Sequence, residues 1–248
     1  MRKALLRLTL LLIILLALAG CTNRQPAPVA TPAAQQATRT AAPAAEKAAP
    51  AGTQAVGGEP ALTVEQVASI ETYRMRVDVT SEGKPSVLVE VAHVKNPIAE
   101  DDQVTLYQND QPTTVDVRYV NDVLYLNNGE KWTVISTFNL AELTIVTPAG
   151  LAAAAPQLTL LGEEEMSGRK TLHLHGDKNV IPDIQTGSDS LSVKNADDAQ
   201  LDLWLDAGER FIVKLFFSLT LEGKTFTTEF LYYDFNAPIV VEVPTNVE

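Results

Sequence analysis

The chain has 248 residues, of which 46% are hydrophobic and 20% charged, the balance of a globular protein rather than a disordered one. Its net charge of -12 excludes a nucleic-acid binder, because phosphate neutralisation needs a basic face. A single Cys excludes an intrachain disulfide framework or a Cys-rich metal site, and three His leave little material for a His-based one. Residues 1–21 carry +3 and residues 22–60 a net +1, so residues 61–248 must hold -16 and the acid belongs to the folded part.

In chain order, Met1-Arg2-Lys3 is a positive start, and Leu8 to Ala19 is apolar throughout except for Thr9. That run is shorter than the roughly 20 residues a spanning helix needs and has the length of a signal-peptide core. It ends in Leu18-Ala19-Gly20-Cys21, which resembles the lipobox of bacterial lipoproteins. The resemblance implies cleavage before Cys21, a thioether-linked diacylglycerol and an N-acyl chain such as palmitate. Two or more acyl chains hold a protein firmly on a membrane, and the mature domain would then sit on the extracytoplasmic side. Residues 22–60 follow with 13 Ala and 6 Pro, so proline interrupts every stretch that alanine could make helical. They read as a disordered tether with an end-to-end distance of about 35 Å.

Residues 61–248 read as the folded domain. Thr63 and Gln66 have capping-box spacing, which predicts a short helix to about Glu71 with Leu62, Val67 and Ile70 on one stripe. The period then changes to two. Tyr73, Met75, Val77 and Val79 alternate with Arg74, Arg76 and Asp78, and a turn is expected at Glu82 to Pro85. Val87, Val89 and Val91 form the next row, with a break from Asn96 through Asp102. Val104 and Leu106 resume, a turn follows at Asn109 to Pro112, and Val115, Val117 and Tyr119 alternate again. Short runs over Val123 to Leu126 and Lys131 to Ile135 complete the first set, separated by Asn127-Asn128-Gly129.

Residues 138–161 break the alternation and read as one or two short helices, or an apolar loop, packed over the sheet. Strands resume at Arg169 to His175, and residues 178–198 read as a long polar surface loop. Leu201, Leu203 and Leu205, then Phe211 to Leu219, then Phe226, Phe230 and Tyr232 form a final meander, followed by a short run at Ile239 to Val243. About ten strands with hairpin turns predict an α+β fold: a single curved, largely antiparallel sheet with one apolar face, an unclosed half-barrel with short helices over its concave side.

The order of motifs resembles the LolA/LolB-like superfamily, and within it the LppX/LprG-type envelope lipoproteins. A lipobox and an Ala/Pro tether precede a short helix and the strand Tyr73-Arg74-Met75-Arg76-Val77. Lys131-Trp132-Thr133 precedes the apolar segment. Gly162 to His173 resembles the family's G-x-E-x-x-x-G-x-x-T-x-H stretch, Leu201 to Asp206 with Arg210 its "V-W-I-D … R" hairpin, and Tyr233 to Pro244 its end. The resemblance implies an unclosed half-barrel that binds acyl chains of lipids or lipoproteins and carries or presents them in the cell envelope.

No catalytic motif stands out: G-x-S-x-G, G-x-x-x-x-G-K and H-E-x-x-H are all absent, which predicts a protein that is not an enzyme and needs no cofactor. His173 and His175 share a strand face but are expected on the solvent side, because Leu172 and Leu174 take the other one. His93 shares the face of Val87, Val89 and Val91. Glu163-Glu164-Glu165 reads as a solvated turn, and the acids of 183–198 lack the spacing of a calcium loop. The expected ligand lining is Met75, Val77, Val89, Val91, Val117, Trp132, Leu203, Leu215, Phe217, Phe226 and Phe230. The sequence therefore predicts a monomer held on the cell membrane through lipidated Cys21, with a lipid or acyl-chain ligand. The alternatives are a surface lipoprotein with a filled sheet, acting on an envelope protein partner, and a hydrolase or metal protein that uses His173 and His175.

Overall fold

The computed structural model describes residues 60–108, 111–127, 129–135, 148–186 and 189–248. Cys21, the signal segment and all of the tether but Pro60 fall outside the described residues. So do residues 138–147 of the apolar segment and parts of the turns expected near 109 and 128.

Six strands come first: β1 Thr72–Ser81, β2 Lys84–Val94, β3 Ala99–Gln108, β4 Gln111–Val120, β5 Val123–Asn127 and β6 Trp132–Ile135. Then come a single described α-helix, α1 Pro148–Ala152, and β7 Thr159–Met166, β8 Arg169–Asp177, β9 Ile184–Thr186, β10 Asp189–Leu191, β11 Asp198–Asp206, β12 Ile212–Leu221 and β13 Lys224–Tyr233. Eleven of these strands form one open antiparallel sheet in the order β6-β5-β4-β3-β2-β1-β13-β12-β11-β8-β7, and β9 pairs only with β10. Four hairpins turn on two residues that both have positive φ: Glu82-Gly83, Asn121-Asp122, Ser167-Gly168 and Glu222-Gly223. That backbone matches the right-handed twist of the flanking strands, and a glycine at the second position relieves its strain in three of the four.

The main core lies on the apolar face of β1, β13, β12, β11 and β8. Leu201, Leu203 and Leu215 have no exposed surface, and Val64, Leu151, Leu158, Ile181 and Val193 pack down on them from above. A smaller cluster of Ala99, Val120 and Tyr125 lies on the opposite face and is covered by Trp132 and by Val241 of the C-terminal tail.

Several expectations are corrected. The residue 63–71 helix is one 3-10 turn, Val64–Gln66, although Gln66 Oε1 does accept from the Thr63 N–H at 2.9 Å as the capping box requires. Val67 is already extended there, because β1 begins only five residues later. The turn at Glu163–Glu165 is instead part of edge strand β7, which turns at Ser167-Gly168. Thr159 to Leu161, expected with the covering segment, belong to that strand as well. Residues 178–198 are not a free loop: Ile181 and Val193 are buried and anchor a hairpin and a 3-10 turn, Val193–Asn195, to the core. Ile239 to Val243 joins no ladder, and the tail meets the sheet through a bridge between Val247 and Trp132.

The covering layer therefore consists, among the described residues, of one five-residue α-helix and short 3-10 turns. Leu215→Ala is expected to destabilise the fold by about 2–5 kcal/mol, the cost of an unfilled core cavity. Val117→Ala, on the less covered half, should cost about 1 kcal/mol or less. Urea unfolding midpoints of the two variants check the contrast.

Candidate functional site

Strand register decides which side chains share the apolar face. Val77 of β1 stands opposite Val89 of β2 and Phe230 of β13, and Met75 stands opposite Val91 and Tyr232. Val89 faces Val104, which faces Val115, and Val117 faces Leu126. The apolar surface thus runs from β8 across to β5. Its burial is uneven. Over β8 and β11 to β13 the face is sealed except at the strand end around Phe226, whereas Val89, Val91, Val104, Val117 and Leu126 are only half-buried, although Val115 and Leu124 beside them are buried. The cause is the covering layer: Val64, Leu151, Ile181 and Val193 belong to one cluster with β1 and β11 to β13, and no side chain of β3 to β5 joins it.

The expected lining residues divide along that boundary. Leu203, Leu215, Phe217, Phe230 and Val77 are buried core. Met75, Val89, Val91 and Val117 are half-buried on the same face. Phe226 lies at the strand end opposite Ser81 and Leu219, and is 40% exposed. Trp132 is corrected. It pairs with Asn127, which pairs with Asp116, so its side chain is on the polar face, where Arg118 Cζ lies 4.8 Å from the ring centroid. The alternation of a four-residue strand is too short to fix which face a tryptophan takes.

The same register exposes a residue that the sequence reading passed over. Asp102 stands between Val91 and Val117, on the apolar face. Its Oδ1 is buried and has no hydrogen-bond partner. Burial, reinforced by the negative charges of Glu100 and Asp101, pushes its carboxyl up to about 8. The sequence signal was parity: counting back by twos from Val104 puts Asp102 in the apolar row. The expected break from Asn96 through Asp102 hid it, because β3 begins at Ala99. Nearby, His93 is buried, hydrogen-bonded through Nδ1 to Glu100 Oε1 at 2.9 Å and stacked on Tyr73.

The polar face carries a network of its own. Glu164 Oε1 bonds His173 Nδ1 at 2.8 Å, and Oε2 accepts from Trp204 Nε1 at 2.9 Å. Asp202 Oδ1 is shared by His173 Nε2 and His175 Nδ1. Burial lowers the His173 imidazole, but the hydrogen bonds to Asp202 and Glu164 outweigh it and hold the ring above its ordinary value. Glu164 and Asp202 are held below theirs: burial raises both, but their hydrogen bonds outweigh it, to Trp204 and His173 for Glu164 and to the two histidines for Asp202. The two histidines do converge on carboxylates, as the hydrolase or metal alternative requires, on the polar face of β8 and β11. Among the described residues no group of three or more His, Cys, Asp or Glu is placed to hold a metal ion.

Among the described residues, one pocket is formed by the tail and another is lined by charged residues together with Val91 and Asp102. One, of about 310 Å³, lies among Val94, Pro97, Ile98, Val120 and the tail residues Ile239 to Val243. The other, of about 320 Å³, lies among charged residues around Arg118 and Trp132. No described helix is long and apolar enough to cross a membrane.

No protein-family model matches the sequence, and no curated protein matches it. Solved structures do resemble the fold. The lipoprotein LppX of Mycobacterium tuberculosis is 18% identical, with a TM-score of 0.47, over 70% of this chain and 90% of that one. LprF from Mycobacterium bovis is 15% identical, with a TM-score of 0.44, over 73% of this chain and 91% of that one. MucB, in a complex with MucA, is 15% identical with a TM-score of 0.31, over 68% of this chain and 49% of that one.

Asp102 should weaken the fold as pH rises. Its carboxyl has an ordinary value of 3.8 and burial pushes it up to about 8 in the folded protein, so nothing is lost well below pH 3.8 and the deficit grows from there until about pH 8. Asp102→Asn is therefore expected to raise the melting temperature, by an increment that widens from pH 4 to pH 8 and then levels. Thermal melts followed by circular dichroism across that range measure it; a constant increment contradicts the assignment.

Proposed function

We propose that this chain is a non-enzymatic, monomeric lipoprotein, anchored through Cys21 to the extracytoplasmic side of the cell membrane and tethered by residues 22–60. Its folded domain binds the acyl chains of a lipid or lipoprotein and carries or presents them in the cell envelope. The observation that carries this reading is the uneven cover of the apolar face. A sheet needs its apolar face removed from water. Here Val89, Val91, Val104, Val117 and Leu126 remain half-buried beside a sealed core. Burying the rest against an acyl chain would contribute roughly 25 cal/mol per Å2. The lipobox at Leu18 to Cys21 supports the anchor, and the proline-rich tether supports a domain that works away from the headgroups.

A second reading, a module for an envelope protein partner, draws on the tail pocket, where Ile98 is 59% exposed and Val240 80%. Mass spectrometry of organic extracts separates the two. The full chain is purified from a membrane-containing bacterial host and extracted with solvent, which removes bound lipid but not the thioether anchor. Lipid at near-stoichiometric amounts is the expected result. Its absence, with no uptake of a fluorescent acyl probe, favours the interaction module.

A further inference from the structure

The acyl-binding reading leaves the chemistry of the ligand open, and Asp102 narrows it. One row across the sheet runs Tyr232, Met75, Val91, Asp102, Val117, Leu126, so a single carboxyl interrupts an otherwise apolar line. A buried carboxylate oxygen without a partner is unfavourable. The donors nearest along this face are already committed. His93 Nδ1 is engaged by Glu100 at 2.9 Å, and the Tyr119 hydroxyl donates to Asp122 at 2.9 Å. Arg118, on the neighbouring strand, faces the other way and is held by Asp101. Among the described residues Asp102 Oδ1 thus has no donor, although both its cross-strand neighbours are half-buried valines on the open half of the face.

We propose that Asp102 is the polar anchor of the ligand site: the amphiphile taken by the apolar face of β2 to β5 carries a hydrogen-bond donor beside its chain, a hydroxyl or an amine, which pairs with Asp102 Oδ1. This rests on the acyl-binding reading. It adds that the site selects for a donor at the junction of head and chain and selects against chains that end in an acceptor alone. A water molecule that satisfied Asp102 in every state would give no such selection.

The test is displacement of a fluorescent naphthylamine probe from the full chain at pH 9, where the Asp102 carboxyl is ionised and only accepts, by three matched amphiphiles: dodecanol, dodecylamine and dodecyl methyl ether. The alcohol and the amine should displace the probe at about tenfold lower concentration than the ether, which has no donor. An amine stronger than the alcohol assigns a cationic head, and parity between them assigns a hydroxyl. Asp102→Leu should bring all three together, and Asp102→Asn, whose amide can also donate to an ether oxygen, should narrow the preference for the alcohol and remove any advantage of the amine. Equal displacement by all three on the unaltered chain overturns the proposal while leaving acyl binding intact. A preference that survives Asp102→Leu overturns it too. A chain that takes up no probe at all overturns both this proposal and the reading beneath it.

Discussion

Two meanders share one sheet because β1 and β13 pair antiparallel, Arg74 with Tyr233 through Ser81 with Phe226. That ladder joins the first strand of the domain to its last, and the rest of the architecture follows from it. With the first and last strands paired at the centre, the sheet's edges are β6 and β7, which are consecutive strands in sequence. An exposed edge invites pairing with other chains. The β6 edge is occupied by the tail, through the Val247 bridge and the Glu248 N–H on Trp132 O, and Lys131 forms an ion pair with Glu248 there. The β7 edge presents exposed Glu163 and Glu165.

The same ladder divides the apolar face into two halves with different tasks. On the β13 side the strands are long, and the N-terminal turn, α1 and the segment around Ile181 and Val193 cover them, giving a sealed core. On the β3 to β5 side no described residue of that layer covers the face, and the face contains a buried carboxylate oxygen without a partner among the described residues. Structure for folding and structure for binding thus lie side by side on one continuous surface, and the boundary runs along β1.

Much of this was legible in the sequence, because a period of two fixes which residues share a face once a strand is placed. The rows Met75/Val77, Val89/Val91 and Leu203/Leu215 follow from alternation alone, and Glu82-Gly83 and Glu222-Gly223 mark their turns. What alternation does not give is depth. Leu203 and Val117 have the same pattern, yet one is sealed and the other is half-open, because the covering residues come from distant segments with no period of their own. Ile181 and Val193 are isolated apolar residues in a polar stretch, so nothing local marks them as anchors. Asp102 is hidden for the opposite reason: an acid ordinarily ends an apolar row, and this one interrupts it. Trp132 was misplaced because its strand spans only four residues.

The central claim is that the β2 to β5 half of the face is a binding surface and the β11 to β12 half a core. Methyl NMR of the full chain with labelled valine and leucine, titrated with dodecanol, tests it most directly. The account predicts shifts at Val91, Val104, Val117 and Leu126, with Leu203 and Leu215 unmoved. Shifts confined to Leu203 and Leu215, or none in the β2 to β5 set, would contradict it.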